Sequence, residues 1–350
     1  VAIPTEPIGS IPRPDYLLDA LSGKAGADEL EQLVDKATAE TIARFAETGS
    51  TVITDGEQGK PSFVTYPLAG GDRLDGEGPI IPFADGHTRQ LPRLTGGPFR
   101  YTGHAHTYLR KALARTDLAV KQPVIAPSAL SLIYPADGID GYPREEFLTD
   151  LTNECEADIR ACLDGGAASV QLDFTEGRLS IKLDPSKGVL RQFVELNNLV
   201  LDRFSPTERQ RIGVHTCPGG DQDSTHSLDV DYAELLPDLF SLNAGRFYVQ
   251  LASEPDRGHV LAAVKASSRP DQTIFIGVTD PIDPRIETPQ EVRDRVLEAA
   301  EYISPERLGT CDDCGFAPFA DDRSTSRDTA FAKIAARVEG TRLAAEVLGV

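Results

Sequence analysis

The sequence predicts an α/β fold, a (β/α)8 (TIM) barrel, on three observations. Eight short extended or apolar stretches are each followed by a segment with helical spacing. Alternation of this kind implies parallel strands joined by right-handed crossovers. The reactive side chains stand just after the ends of those stretches, where a barrel gathers its functional residues. The rival doubly wound sheet would carry a glycine-rich dinucleotide turn after an early strand, and none is present.

The elements follow in order. Residues 2–10 form a short extended segment ending in Gly9-Ser10; Pro4 and Pro7 make it a poor central strand, so it is read as an irregular first strand. Asp28–Thr48 has an apolar stripe of helical period (Leu30, Leu33, Val34, Ala37, Ile42, Phe45) and stops at Gly49. Thr51–Thr54 reads as a strand leading into Asp55-Gly56-Glu57. Pro79–Tyr101 breaks the rhythm with turn residues and His87, and is read as an inserted hairpin or lid within 77–103. Helix patterns at Thr107–Thr116, Pro143–Asp164, Leu190–Phe204, Tyr232–Leu242, His259–Ala266, Pro289–Tyr302 and Ser326–Leu348 alternate with strand patterns. Those strands are Val120–Ala126, Ala168–Leu172, Ile212–Cys217, Phe247–Leu251, Thr273–Val278 and Arg307–Thr310. No linker or repeat interrupts this order, so residues 1–350 are read as one catalytic domain.

Composition narrows the function. The net charge of −20 opposes binding to nucleic acid, whose phosphates need a basic surface. No apolar run is long enough to span a bilayer and no leader or lipidation motif is visible, so a cytoplasmic location is expected, without a membrane partner. In a reducing compartment five cysteines point to metal ligands or nucleophiles rather than disulfides. Cys155 and Cys162 are seven apart in a helical pattern and read as core.

The stretch Ile212–Asp221 carries the most chemistry. Side chains two apart on a strand point the same way, so His215 and Cys217 can present imidazole and thiolate together, and both are zinc ligands. Strand ends converge on one face of a barrel, which brings Glu254 and a cysteine of Cys311-Asp-Asp-Cys314 toward the same place. A Zn²⁺ held by two thiolates and a carboxylate is a poor Lewis acid for hydrolysis, and is suited to keeping a further thiolate nucleophilic. Spacing alone leaves open whether Cys311 or Cys314 would bind.

Taken together, PTEPIGSIPRP, DGEQ, QLDFTEG, HTC, ASEPDR, GVTDPIDPR and DDCG resemble, in order, the catalytic C-terminal barrel of the cobalamin-independent methionine synthase family, in a short single-barrel form. The resemblance implies zinc held by His215, Cys217, Glu254 and Cys314, and a thiol amino acid held by Ser10, Glu57 and Asp173. It implies methyl transfer to a thiol such as L-homocysteine by way of a zinc-bound thiolate, the donor being a folate or a methyl-corrinoid protein. The family's second barrel has no counterpart in this sequence. Its pterin-packing tryptophan falls at Ser128-Ala129-Leu130, and Ile282 stands where it has a histidine acid.

Other readings stay open. Another zinc-thiolate alkyltransferase or C–S bond enzyme, a zinc hydrolase, and an accessory protein that has lost donor binding are the alternatives; a hydrolase would want more histidine ligands than His215. His226 could reach over the site and replace the missing acid, or belong to a solvated loop. Asp280 could orient a ligand or cap a turn. Glu57 and Asp173 could instead pair with an arginine such as Arg178, and Glu254 could simply sit at a helix start. Arg13, Lys60, Arg257 and Arg285 are loop cations that could meet an anionic substrate.

Overall fold

The computed structural model describes residues 2–350. Seven strands form one parallel sheet: β1 (Val52–Ile53), β2 (Ala119–Ile125), β3 (Ser169–Asp173), β4 (Ile212–Thr216), β5 (Arg246–Val249), β6 (Thr273–Thr279) and β7 (Leu308–Asp312). They lie side by side in chain order. Apart from β1, which barely forms, they are buried almost throughout and rich in branched apolar residues, the pattern of strands covered on both faces.

The opening segment differs from the expected first strand. Its sheet pairing is one parallel bridge, Thr5 to Thr310, flanked by Glu6 N→Thr310 O and Thr310 N→Pro4 O, both 2.9 Å. Further on it meets the other edge: Thr54 Oγ1 donates to Gly9 O at 2.7 Å and Ile11 N to Gly56 O at 3.0 Å. Pro4 and Pro7 have no N–H to continue a ladder. The segment therefore runs between β7 and β1 and curls the sheet, with eight sequence stretches yielding seven ladder strands.

The main helices are α1 (Ala27–Glu47), α2 (Ala105–Leu113), α3 (Arg144–Asp164), α4 (Glu176–Leu183), α5 (Gly188–Leu201), α6 (Arg257–Ser267), α7 (Pro289–Ala300) and α8 (Arg327–Leu348). Each buries one stripe; in α3 it is Phe147, Leu151, Cys155, Ile159 and Cys162, which makes both cysteines core residues as expected. The predicted helix Tyr232–Leu242 is broken into a turn of 3₁₀ helix, Tyr232–Glu234, and Leu236–Leu239. Pro237 lacks the N–H that would carry the helix through. Helix α4 escaped the sequence reading because Glu176, Arg178 and Ser180 are buried alongside Leu179 and Ile181, so its buried face does not read as an apolar stripe.

The insertion consists of two antiparallel ribbons, Leu74–Asp75 with Arg93–Leu94 and Ile80–Pro82 with Thr88–Gln90. Its tip lies against the loop after β4, where Ala84 N donates to Thr225 O at 2.9 Å. Arg89 ties it to Asp221 in that loop and to Asp321 beyond β7. No described helix is long and apolar enough to cross a membrane.

Candidate metal centre

The end of β4 builds the centre. His215 stands in register with Asp173 on β3, so the two side chains are neighbours, and His215 Nδ1 lies 3.1 Å from Asp173 Oδ1. Cys217 follows two residues later, and its Sγ accepts from Gly219 N at 3.3 Å. Gly219 has φ +71°, and a Cβ there would lie 1.7 Å from His226 Nε2, so only glycine allows this turn beneath the imidazole. Cys314 arrives from the loop after β7. Among the described residues, His215, Cys217 and Cys314 are the group whose ligand atoms lie within 4.8 Å of one another, and all three are buried.

Asp313 holds this corner together. Its Oδ1 accepts from Leu251 N and Ala252 N, both at 2.9 Å, and its Oδ2 from Ser253 N and Ser253 Oγ, both at 2.7 Å. One carboxylate thus ties the loop after β5 to the residue beside Cys314. Nothing in the sequence pattern singled it out.

The electrostatics suit a divalent cation. Burial alone would lower the His215 pKa, but the Cys217 thiolate and Asp173 push it up to about 10. Burial alone would raise Cys217, yet a hydrogen bond from Cys314 and the His215 charge bring it well below the usual thiol range. Burial and the Cys217 charge push Cys314 up. Of the two cysteines, Cys217 is the one whose surroundings favour the thiolate. A dication bound here would take two thiolates and a neutral imidazole, a zinc donor set. Zinc bonds of about 2.0–2.3 Å put tetrahedral ligand atoms ~3.3–3.8 Å apart, a modest contraction of the spacing seen here.

Glu254 stands apart from the group. Its carboxylate is held by Arg178 Nη1 at 2.6 Å, and Arg178 also donates to Gln250 Oε1 at 3.1 Å and Leu228 O at 3.0 Å. The arginine expected near Glu57 and Asp173 thus serves Glu254. Cys311 faces inward with Ile8, Tyr248 and Phe275, its Sγ 3.6 Å from Phe275 O, and takes no part in the group.

A cavity of about 730 Å³ opens above the centre, a size that takes a small molecule. Ser10, Glu57, Asp173, His215, Cys217, His226 and Cys314 all line it, so most of the residues picked out by sequence do converge. Ser10 Oγ accepts from Ala317 N at 3.2 Å. Glu57 is paired with Lys60 at 2.8 Å, both fully enclosed. His226 is buried rather than solvated, and burial together with Lys182 and Arg178 pushes its pKa down to about 4, which leaves it neutral at pH 7 and without a proton to give. Asp280 instead lines a second cavity of about 220 Å³ with Asp313 and Ile282, on another side of Cys314. It accepts from Ile282 N at 3.0 Å, the turn-capping role, and burial raises its pKa.

The loop cations are engaged internally. Arg13 donates to Glu57 O at 2.7 Å and Lys60 O at 2.9 Å, Arg257 to Glu298 at 2.8 Å and Arg285 to Glu291 at 2.8 Å.

Glu176 was not foreseen as a site residue. It lines the large cavity, takes a hydrogen bond from Ser128 Oγ on one oxygen and has no partner on the other. Burial raises its pKa from 4.5 to about 8. The folded protein therefore holds this proton where the unfolded chain has lost it, and the group's contribution to stability is full below pH 4.5 and lost as pH rises to about 8. Glu176→Gln should match the parent's melting temperature near pH 5 and exceed it near pH 8; equal pH slopes for the two proteins would contradict the assignment.

A curled parallel α/β sheet with one imidazole and two thiol groups at its carboxyl edge, beside a small-molecule cavity, defines a barrel-class fold whose buried His/Cys/Cys group could hold a metal ion. The chain belongs to the family described as cobalamin-independent synthase, catalytic domain, whose model matches residues 3–337. It is 23% identical to a methionine synthase of Sulfurisphaera tokodaii over 99% of this chain and 94% of that protein. It is 25% identical to an uncharacterized protein of Bacillus subtilis over 93% and 89% of the two chains. The fold is shared with a B12-independent methionine synthase from Shewanella, solved with selenomethionine: TM-score 0.80, 18% identity, all of both chains covered. A second structure, from Listeria monocytogenes and described as a putative B12-independent methionine synthase, gives a TM-score of 0.71 at 22% identity over 96% of each chain.

Proposed function

We propose that this chain is a zinc-dependent methyltransferase acting on a thiol such as L-homocysteine, and that residues 2–350 work as one catalytic (β/α)8 unit with the opening segment in place of the first strand. The observation that carries the reading is the enclosed His215–Cys217–Cys314 group at the base of the large cavity. In this reading those three residues would hold the metal, and Glu254, paired with Arg178 in this structure, would be the fourth and hardest donor. A bound zinc ion there supplies one thing: it lowers the pKa of a substrate thiol so that the sulfur stays a thiolate at neutral pH.

The chain's own residues do the rest. Asp173 and Glu57 face the substrate's ammonium group, with Lys60 offsetting part of the charge they would otherwise share. Ser10 supplies a hydroxyl at the same end. Phe63, Phe83 and Phe319 line the cavity and exclude water from the reacting sulfur. The sulfur attacks the methyl carbon of the donor, whose breaking bond returns its electron pair to the donor. His226 shapes the turn at Gly219 and carries no proton to the donor at neutral pH. The family relationship and the predominance of thiol ligands favour this over a hydrolase.

The test is zinc-edge X-ray absorption with and without L-homocysteine. The expected result is a shell of two sulfurs with nitrogen and oxygen that gains a third sulfur on addition. A shell that other thiols change and homocysteine does not would replace homocysteine as substrate. Absence of zinc from protein purified with zinc supplied would end the proposal. Turnover with methyl-folate and with a methylated corrinoid protein, assayed side by side, then identifies the donor.

A further inference from the structure

We propose that Lys121 and Gln171, enclosed in the interior beneath the metal centre, are positioning residues that set the direction of the hydrogen-bond chain ending on His215. Lys121 Nζ donates to Gln171 Oε1 at 2.7 Å. Gln171 Nε2 donates to Asp173 Oδ1 at 2.7 Å, and the same oxygen lies 3.1 Å from His215 Nδ1. Lys121 and Gln171 are fully buried.

The chain has a direction because of what each group can do. An ammonium group only donates, and an ionised carboxylate only accepts. Gln171 must therefore turn its oxygen to Lys121 and its nitrogen to Asp173; the flipped amide would oppose donor to donor and acceptor to acceptor. With Asp173 kept as an acceptor, Nδ1 of His215 carries the hydrogen, and Nε2, which lies 3.3 Å from Asp313 O, is the nitrogen that would turn to a ligand. Strand alternation places Gln171 and Asp173 on one side of β3, and register places Asp173 opposite His215.

The far end of the chain is anchored too. Lys121 lies 3.7 Å from Glu6 Oε2 and 3.9 Å from the centre of the Tyr248 ring. Glu6 in turn accepts from Tyr248 OH at 2.6 Å and from Arg246 Nη1 at 2.8 Å. Burial lowers the Lys121 pKa to about 8 against the pull of Glu6, so the ammonium form still dominates at pH 7. Apolar residues would fill this space at lower desolvation cost; directing Gln171 accounts for a cation here.

The inference rests on the zinc reading of His215, and the experiment separates the two. Zinc affinity is measured by chelator competition, and the ligand field by the absorption spectrum of the Co²⁺-loaded protein, for the parent, Gln171→Leu, Gln171→Glu, Lys121→Met and Lys121→Arg. Loss of an outer partner of a metal-bound histidine weakens binding by about 10–100-fold. That loss, with shifted Co²⁺ bands, is expected for Gln171→Leu and for Gln171→Glu, which keeps the volume and the lysine pair but removes the donor to Asp173. Lys121→Met should move the same way and Lys121→Arg, still donor-only, should stay near the parent. Should Gln171→Leu not fold, Gln171→Glu decides. Parent-like affinity and spectrum in Gln171→Glu overturn the inference while leaving the zinc reading intact. A parent protein that binds neither metal overturns both.

Discussion

Cys217→Ser is expected to lose zinc and, with it, thiol alkylation, while the protein stays folded. The substitution is nearly isosteric and Cys217 Sγ accepts only one backbone hydrogen bond, from Gly219, which a serine oxygen can also accept. What is lost is the charge. Cys217 is the cysteine whose thiolate is favoured by its neighbours, so it is the group that draws the cation in. Changes to outer partners alone cost about 10–100-fold in metal affinity, so removal of this ligand should exceed ~100-fold. Inductively coupled plasma analysis, chelator competition and a turnover assay on the same preparation measure it. A variant that keeps one zinc per chain and full turnover would remove Cys217 from the site. Cys311→Ser serves as the control and should keep both, because Cys311 lies with Ile8, Tyr248 and Phe275 outside the metal group.

The second large effect is on stability. Arg337 on α8 is fully buried, and its Nε lies 3.0 Å from Asp312 Oδ1 at the end of β7. Its Nη1 reaches Thr5 Oγ1 at 2.5 Å, in the segment that runs between the sheet's two edges. Arg337→Met keeps most of the aliphatic volume and leaves Asp312 enclosed with only Thr279 Oγ1 donating to that oxygen, at 2.7 Å. Breaking a buried ion pair from one side costs about 3–5 kcal/mol. Urea unfolding should therefore show an unfolding free energy lower by that amount, read as a lower midpoint at unchanged slope, and hydrogen exchange should rise at Glu6 N and Thr310 N. A loss below ~1 kcal/mol would mean that the seam between Thr5 and β7 does not depend on this pair.

The alternation of apolar stretches and amphipathic helices was legible because both periods are local. Strands β2 to β7 and helices such as α1 and α3 fall within a few residues of their sequence readings. Elements whose buried face is polar, such as α4 with Glu176 and Arg178, were not legible, because burial there is compensated by partners distant in the chain. The opening segment was misjudged in kind: its prolines limit it to one bridge, and it is tied to Thr310 and Gly56 rather than built into a ladder.

The same division runs through the site. His215, Cys217 and Cys314 were legible from residue type, motif order and position after strand ends. The sequence alone determined the alternating α/β plan and placed a histidine and cysteines just after strand ends. Spacing left Cys311 and Cys314 open and the resemblance implied Cys314, which the tertiary structure brings into the group; only that structure decided that Arg178 holds Glu254, that Lys60 pairs with Glu57, and that His226 is enclosed and neutral. The physical reason is common to all four. Each depends on which way a side chain points and what meets it there; apart from Lys60, three residues from Glu57, those partners come from strands and loops tens of residues or more away, brought together by the parallel sheet.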